Sequence, residues 1–195
     1  MIDVAVGGIL FYIVSMENKD DIKSKVRNYI NVACDLLDIP TPYIHYHIPK
    51  DLIAKGKEVA FAIKKRKSYH IYLNLDFSNK PLLFNACLHE CRHIYQYMVC
   101  DSPVAYHIEP KELVDLWRLN FKVYQGGTVE NYEFQPLELD AYAFGDYVFN
   151  TMYGKEMIVR NEPVRRAVLK RMLELSEIYT EDDVLSIAQK YFETE

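Results

Sequence analysis

Three side chains in the stretch FNACLHECRHIYQY, Phe84–Tyr97, have the types and spacing for metal chemistry: His89, Glu90 and His93. An α-helix advances about 100° per residue, so residues four apart lie within about 40° of each other on one face. On a helix, His89 and His93 would aim two imidazoles at one ion. Glu90, about 100° round from His89, would lie beside that ion and not on it. A carboxylate there can hold a water without taking a coordination position. This is the mechanics of H-E-x-x-H, two zinc ligands and a general base. By ordinary residue usage the pentapeptide arises by chance in roughly one chain in one or two hundred of this length. The flanking sequence therefore has to decide between a metal site and three polar residues on an ordinary helix.

The flanks predict a buried helix. Ser78 and Asn79 are N-cap types, and Pro81 suits a first turn. Leu82, Leu83, Phe84, Ala86, Cys87 and Leu88 precede the motif, and Ile94, Tyr95, Tyr97, Met98 and Val99 follow it. A segment apolar almost all round is a core helix. Two histidines and a glutamate buried there need partners, which a metal would supply. Gln96 falls about 20° from His89 and is a candidate for a hydrogen bond to a ligand or substrate, or for a structural one. Arg92, about 60° away, suits an ion pair with a carboxylate such as Asp140.

Catalytic zinc takes three protein ligands and keeps one position open. The best third candidate is Glu138, in PLELDAYAFG. In a helix beginning near Pro136, Tyr142 and Gly145 lie within about 40° of Glu138, and Ala141 within about 60°. Small residues on that face would let the two helices approach. Asp140 lies about 200° round and is weaker; Glu130 and Glu133 precede the helix and stay as alternatives. The plain reading of Glu138 is a first-turn glutamate favoured by the helix dipole.

The remaining elements must position these groups. An amphipathic helix is predicted from about Asn18 to Leu37, ended by Pro40 and Pro42. YIHYHI alternates as a strand with His45 and His47 on one face. EVAFAIKK and SYHIYLNLD predict an antiparallel hairpin whose solvated tip carries Lys64, Lys65, Arg66 and Lys67. In the second strand Tyr69, Ile71, Leu73 and Leu75 face one way and Ser68, His70, Tyr72 and Asn74 the other, and the strand runs into the His89 helix. If Ser68–Asp76 forms the sheet edge, it could take up an extended peptide. Helices follow at KELVDLWRLNFKVYQ, stopped by Gly126 and Gly127, then from Pro136, then two more from Glu162, the last with Thr180 as N-cap and Asp183 three residues on. The apolar segment Val4–Val14 is too short to span a bilayer and lacks a basic leader, so it reads as a buried strand or core segment.

The 195 residues suit one domain, 1–195, of α+β class. A net charge of −5 argues against nucleic acid as the main partner. Four cysteines, Cys34, Cys87, Cys91 and Cys100, form no C-x-x-C pair, which predicts reduced thiols in a cytoplasmic setting.

HECRH, a downstream E-x-x-A helix and a preceding strand pair resemble the zincin metallopeptidases. The pattern is most similar to the glutamate-ligand branch, the gluzincins, including small phage and bacterial members of the ImmA/IrrE-like type. The resemblance covers about Val59–Val148 and implies a zincin-like fold, with a small antiparallel sheet on the H-E-x-x-H helix. It implies Zn2+ on His89, His93 and Glu138, Glu90 as general base, and a peptide or protein substrate without membrane association. Two features depart from the branch. The gap of about 45 residues between His93 and Glu138 is long. The position four after the ligand glutamate, an aspartate in larger gluzincins, is Tyr142 here. Tyr142, Tyr132 and His107 are the candidates for an oxyanion stabiliser, and Gln96 and Tyr142 for contacts behind the ligands or to substrate. Two other function classes fit the same residues. One is a binding protein on a zincin scaffold; the other is a closed structural zinc site with Cys91 or His107 as fourth ligand.

Overall fold

The computed structural model describes residues 18–49, 59–101, 108–124, 132–156, 158 and 160–192. The apolar segment Val4–Val14, His107, Gly126, Gly127 and Glu130 lie outside them. The described architecture is α+β: six helices and a mixed three-stranded sheet.

Helix α1, Lys19–Leu37, is capped by the Asn18 side chain, which accepts from the Asp20 and Asp21 backbone N–H groups. Its buried stripe includes Ile22, Val26, Tyr29, Ile30 and Ala33. It ends where Asp38 turns left-handed, with φ of 49°. Strand β1, Tyr43–His45, follows Pro40 and Pro42.

Strands β2, Ala60–Lys65, and β3, Ser68–Leu73, form the predicted hairpin around Arg66 and Lys67. The order is β1-β3-β2, with β1 parallel to β3. This corrects the expectation that Ser68–Asp76 is an edge, because β3 is the central strand and is paired on both sides. The free edge facing the functional region is β2. Ile71, Leu73 and Leu75 are buried as the alternation predicts, with Tyr69 half-buried beside them. On the opposite face Tyr72 is buried too, between the His45 and Phe61 rings at centroid distances of 4.2 and 5.0 Å. His45 bonds across the sheet to His70 at 2.9 Å, and His47 lies beyond the strand.

Helix α2, Lys80–Asp101, is the centre of the molecule. Thirteen of its 22 residues are buried, which is why it carries no clear polar stripe. The Asn79 side chain accepts from the Leu82 N–H and caps it. Around α2 pack α1, β2, α3 (Lys111–Val123) and α4 (Pro136–Tyr153); α4 also packs on α5 (Glu162–Ile178) and α6 (Glu181–Phe192). Thr180 and Asp183 exchange hydrogen bonds at the start of α6, as their spacing predicts. No helix among the described residues is long and apolar enough to cross a membrane.

Candidate metal centre

Helices α2 and α4 meet through small residues. Ala141 is fully buried, and a Cβ built on Gly145 would lie 3.4 Å from the His89 backbone nitrogen and from two atoms of Asn85. A larger residue at 145 would have to push the α2 backbone away. The contact sets Glu138, one turn from the start of α4, opposite His89 and His93. Asn120 of α3 helps to fix that start, since its side-chain oxygen accepts from the Leu137 N–H at 3.1 Å.

His89, His93 and Glu138 converge. Their Nε2, Nε2 and carboxylate oxygens lie within 4.8 Å of one another. The two Nε2 atoms are 3.0 Å apart; His93 Nε2 is 3.2 Å from Glu138 Oε1, and His89 Nε2 is 3.4 Å from Oε2. Ligands bound at about 2.0–2.1 Å to a tetrahedral ion stand about 3.3 Å apart, so this triangle has the size of one face of such a shell. Glu138 Oε2 is buried and receives no hydrogen bond. A buried carboxylate oxygen without a donor is costly. A cation at the centre of the triangle would satisfy it, so the donor set fits a metal ion.

The charges agree with the geometry. Burial opposes ionisation of Glu138, but His93 and His89 outweigh it and hold the carboxyl far below its ordinary range. Burial also lowers the His93 pKa, but Glu138 and Gln96 outweigh it and lift it to about 9 without a metal. Glu90 is buried, 6% exposed, and is not one of the three converging groups. Burial raises its pKa above the ordinary carboxylate range, against the pull of the two histidines and the Ala62 N–H bonded to it.

The other sequence candidates are placed as follows. Gln96 is fully buried behind His93, with Oε1 2.8 Å from His93 Nδ1. Tyr142 packs on the His89 ring at 4.6 Å and lies under the Arg160 guanidinium at 3.9 Å, so its ring backs His89. Asp140 points away from the triangle and pairs with Arg92 through hydrogen bonds of 2.8 and 3.1 Å. Glu133 lies outside the triangle and bonds Asn161. Among the described residues no cysteine joins the group; Cys91 is buried and faces Cys34. That is the result expected from its position about 200° from His89.

Two features were not legible beforehand. Tyr124, just past α3, donates to Glu138 Oε1 at 2.6 Å and lies 2.8 Å from the Tyr132 hydroxyl. Its contact crosses fourteen residues through tertiary structure, and no local periodicity marks it. Glu109 and Arg171 complete a buried ion cluster with Arg92 and Asp140. A charged residue on an otherwise apolar helix face was the available signal for Arg171.

His89, Glu90 and His93 lie in the wall of a cleft of about 830 Å³, with Glu138 buried behind them. Strand β2 borders one side, and Tyr97, Phe121, Tyr124 and Tyr132 add an aromatic lining. No family model matches the chain, and no curated protein or solved structure is significantly similar to it.

Proposed function

We propose that the protein is a zinc-dependent metallopeptidase of zincin-like type, acting on an extended peptide or protein segment. The observation that supports this most is the pairing of a three-donor group with a fourth acidic residue that is not a donor. Four protein ligands would make a closed structural site, whereas three leave a coordination position facing the cleft. A bound zinc would supply Lewis acidity, polarising a carbonyl and acidifying a water. The chain's own groups do the rest. Glu90 accepts the water's proton and passes it to the leaving amine. Tyr124 holds one Glu138 oxygen, and Tyr142 packs against the His89 ring, so neither donor can swing away.

Strand β2 gives the substrate its place. The Asn74 N–H donates to the Val59 carbonyl at 2.9 Å, so Val59, Phe61, Ile63 and Lys65 direct their backbone groups at β3. Ala60, Ala62 and Lys64 direct theirs outward along the cleft, and among the described residues no strand pairs with them. The Ala62 N–H is taken by Glu90; the Ala60 and Lys64 groups can extend the sheet with a substrate backbone.

The experiment is zinc analysis of untagged protein, followed by cleavage of a mixed peptide library by wild type and Glu90→Gln. We expect about one zinc per chain in both and hydrolysis in the wild type alone. Equal cleavage by the two proteins would remove Glu90 from the mechanism. A folded wild type that refuses zinc would remove the proposal altogether.

A further inference from the structure

Behind the metal triangle, Arg92, Arg171, Asp140 and Glu109 form a buried cluster drawn from α2, α5, α4 and the segment before α3. Asp140 Oδ2 accepts from Arg92 Nε at 2.8 Å, and Oδ1 accepts from Arg92 Nη2 at 3.1 Å and Arg171 Nε at 2.8 Å. Glu109 bridges the two guanidiniums through Arg92 Nη2 and Arg171 Nη2. One further donor reaches Asp140 from outside the cluster: Gln96 Nε2, at 2.7 Å from Oδ2. The same nitrogen donates to the Leu137 carbonyl at 3.0 Å.

We propose that this cluster, acting through Gln96, is a positioning device for His93, and that α5 takes part in it through Arg171. The inference rests on the metal reading above. The logic is one of donors and acceptors. Both Gln96 Nε2 protons are committed, one to a carbonyl and one to a carboxylate whose other acceptor sites are filled by arginine. Turning the amide over would set its oxygen against two acceptors, so Oε1 is held towards His93 Nδ1, 2.8 Å away. An amide oxygen only accepts. When the ring gives up a proton, Nδ1 therefore keeps its own, which leaves Nε2 to present its lone pair to the centre of the triangle. The position the zincin resemblance assigns to an aspartate is Tyr142; here the orienting group comes from the α2 helix itself, three residues after the ligand, and is locked from behind by charge. The helix α5, which lies beyond the region of that resemblance, thereby holds a metal donor in its tautomer.

The test uses the full chain with 15N-labelled histidine, metal-free and zinc-loaded. We expect the wild-type His93 proton on Nδ1, slow to exchange with solvent, and zinc on Nε2. Gln96→Met keeps the length and removes all three hydrogen bonds. It should expose the Nδ1 proton to exchange and weaken zinc about 10–100-fold, with unchanged circular dichroism. Arg171→Met combined with Glu109→Gln keeps the cluster neutral. It should weaken zinc several-fold alone and add nothing to Gln96→Met. A merely structural cluster would lower stability and leave the His93 proton and zinc affinity alone. Should the double variant fail to fold, Gln96→Met decides by itself. A wild-type His93 protonated on Nε2 with bare Nδ1, or unchanged zinc affinity in Gln96→Met, would overturn the proposal. A wild type that takes no zinc would refute the metal reading, while the Nδ1 proton of the metal-free protein, read at a pH where the ring is neutral, still decides the positioning.

Discussion

Two buried polar groups lie back to back across helices α2 and α4, and they are built oppositely. In one, two guanidiniums meet two carboxylates, and each charge is paired by hydrogen bonds from its neighbours. In the other, Glu138 faces two histidines, and its Oε2 has no donor among the described residues. Both sit in the same low-dielectric interior, so the cost of an unpaired charge is similar in each. The first cluster is complete with the chain's own atoms. The second leaves a buried carboxylate oxygen without a donor, at a point where a cation would fit. Burial alone does not mark a candidate metal site; converging donors around an unfilled acceptor do.

The largest test of this contrast is removal of a donor from the open group. Glu138→Gln should abolish zinc binding, a larger loss than the roughly 100-fold upper range for residues behind a ligand. It should cost the metal-free protein less stability than a break in the closed cluster. Chelator competition and urea unfolding read the two effects. Retained zinc affinity in Glu138→Gln would end the contrast.

Next in size is Arg171→Met in the closed cluster. Breaking a buried pair leaves a carboxylate uncompensated, and about 3–5 kcal/mol of stability should be lost. A loss below about 1 kcal/mol would mean that solvent reaches the cluster and that its pairing is of the weak surface kind.

Gly145→Leu tests the contact that assembles the open group without touching any donor. Overpacking should cost about 1–3 kcal/mol and displace Glu138, lowering zinc affinity while helix content stays near normal. Gly145→Ala should be mild, because its Cβ contacts begin at 3.4 Å. Zinc titration beside circular dichroism separates these outcomes; undiminished affinity in the leucine variant would show that α4 is free to shift without moving Glu138.

The smallest effect is a pH dependence that only the metal-free protein should show. His93 titrates near 9 when folded, above its ordinary 6.5. Its contribution to stability is thus fully present below 6.5 and lost as pH rises through about 9. Glu138, held below its ordinary 4.5, contributes above that value and loses its contribution as pH falls through its folded pKa. Metal-free stability should therefore decline from pH 6.5 to above 9. The zinc form should not decline for this reason, because zinc requires His93 to have already given up its proton. Parallel declines in the two forms would place the His93 proton elsewhere.

Periodicity and local chemistry determined much of this protein without any tertiary information. The stripe from Ile22 to Leu37, the hairpin about Arg66 and Lys67, the Asn79 cap and the Thr180 capping pair are local interactions, and each appears where residue spacing puts it. Even the approach of Glu138 to His89 was legible, because small residues one and two turns beyond it on one face can only serve a close contact. Tertiary structure alone decided the rest. The parallel pairing of Tyr43–His45 with β3 joins segments 27 residues apart, and it moved the free edge from β3 to β2. Tyr124 reached Glu138, and Glu109 and Arg171 closed around Arg92, across separations at which neither helical nor strand period carries information. Sequence spacing says which side chains share a face. Which two faces meet is set by the packing of whole helices, and the unsatisfied oxygen of Glu138 exists only once they have met.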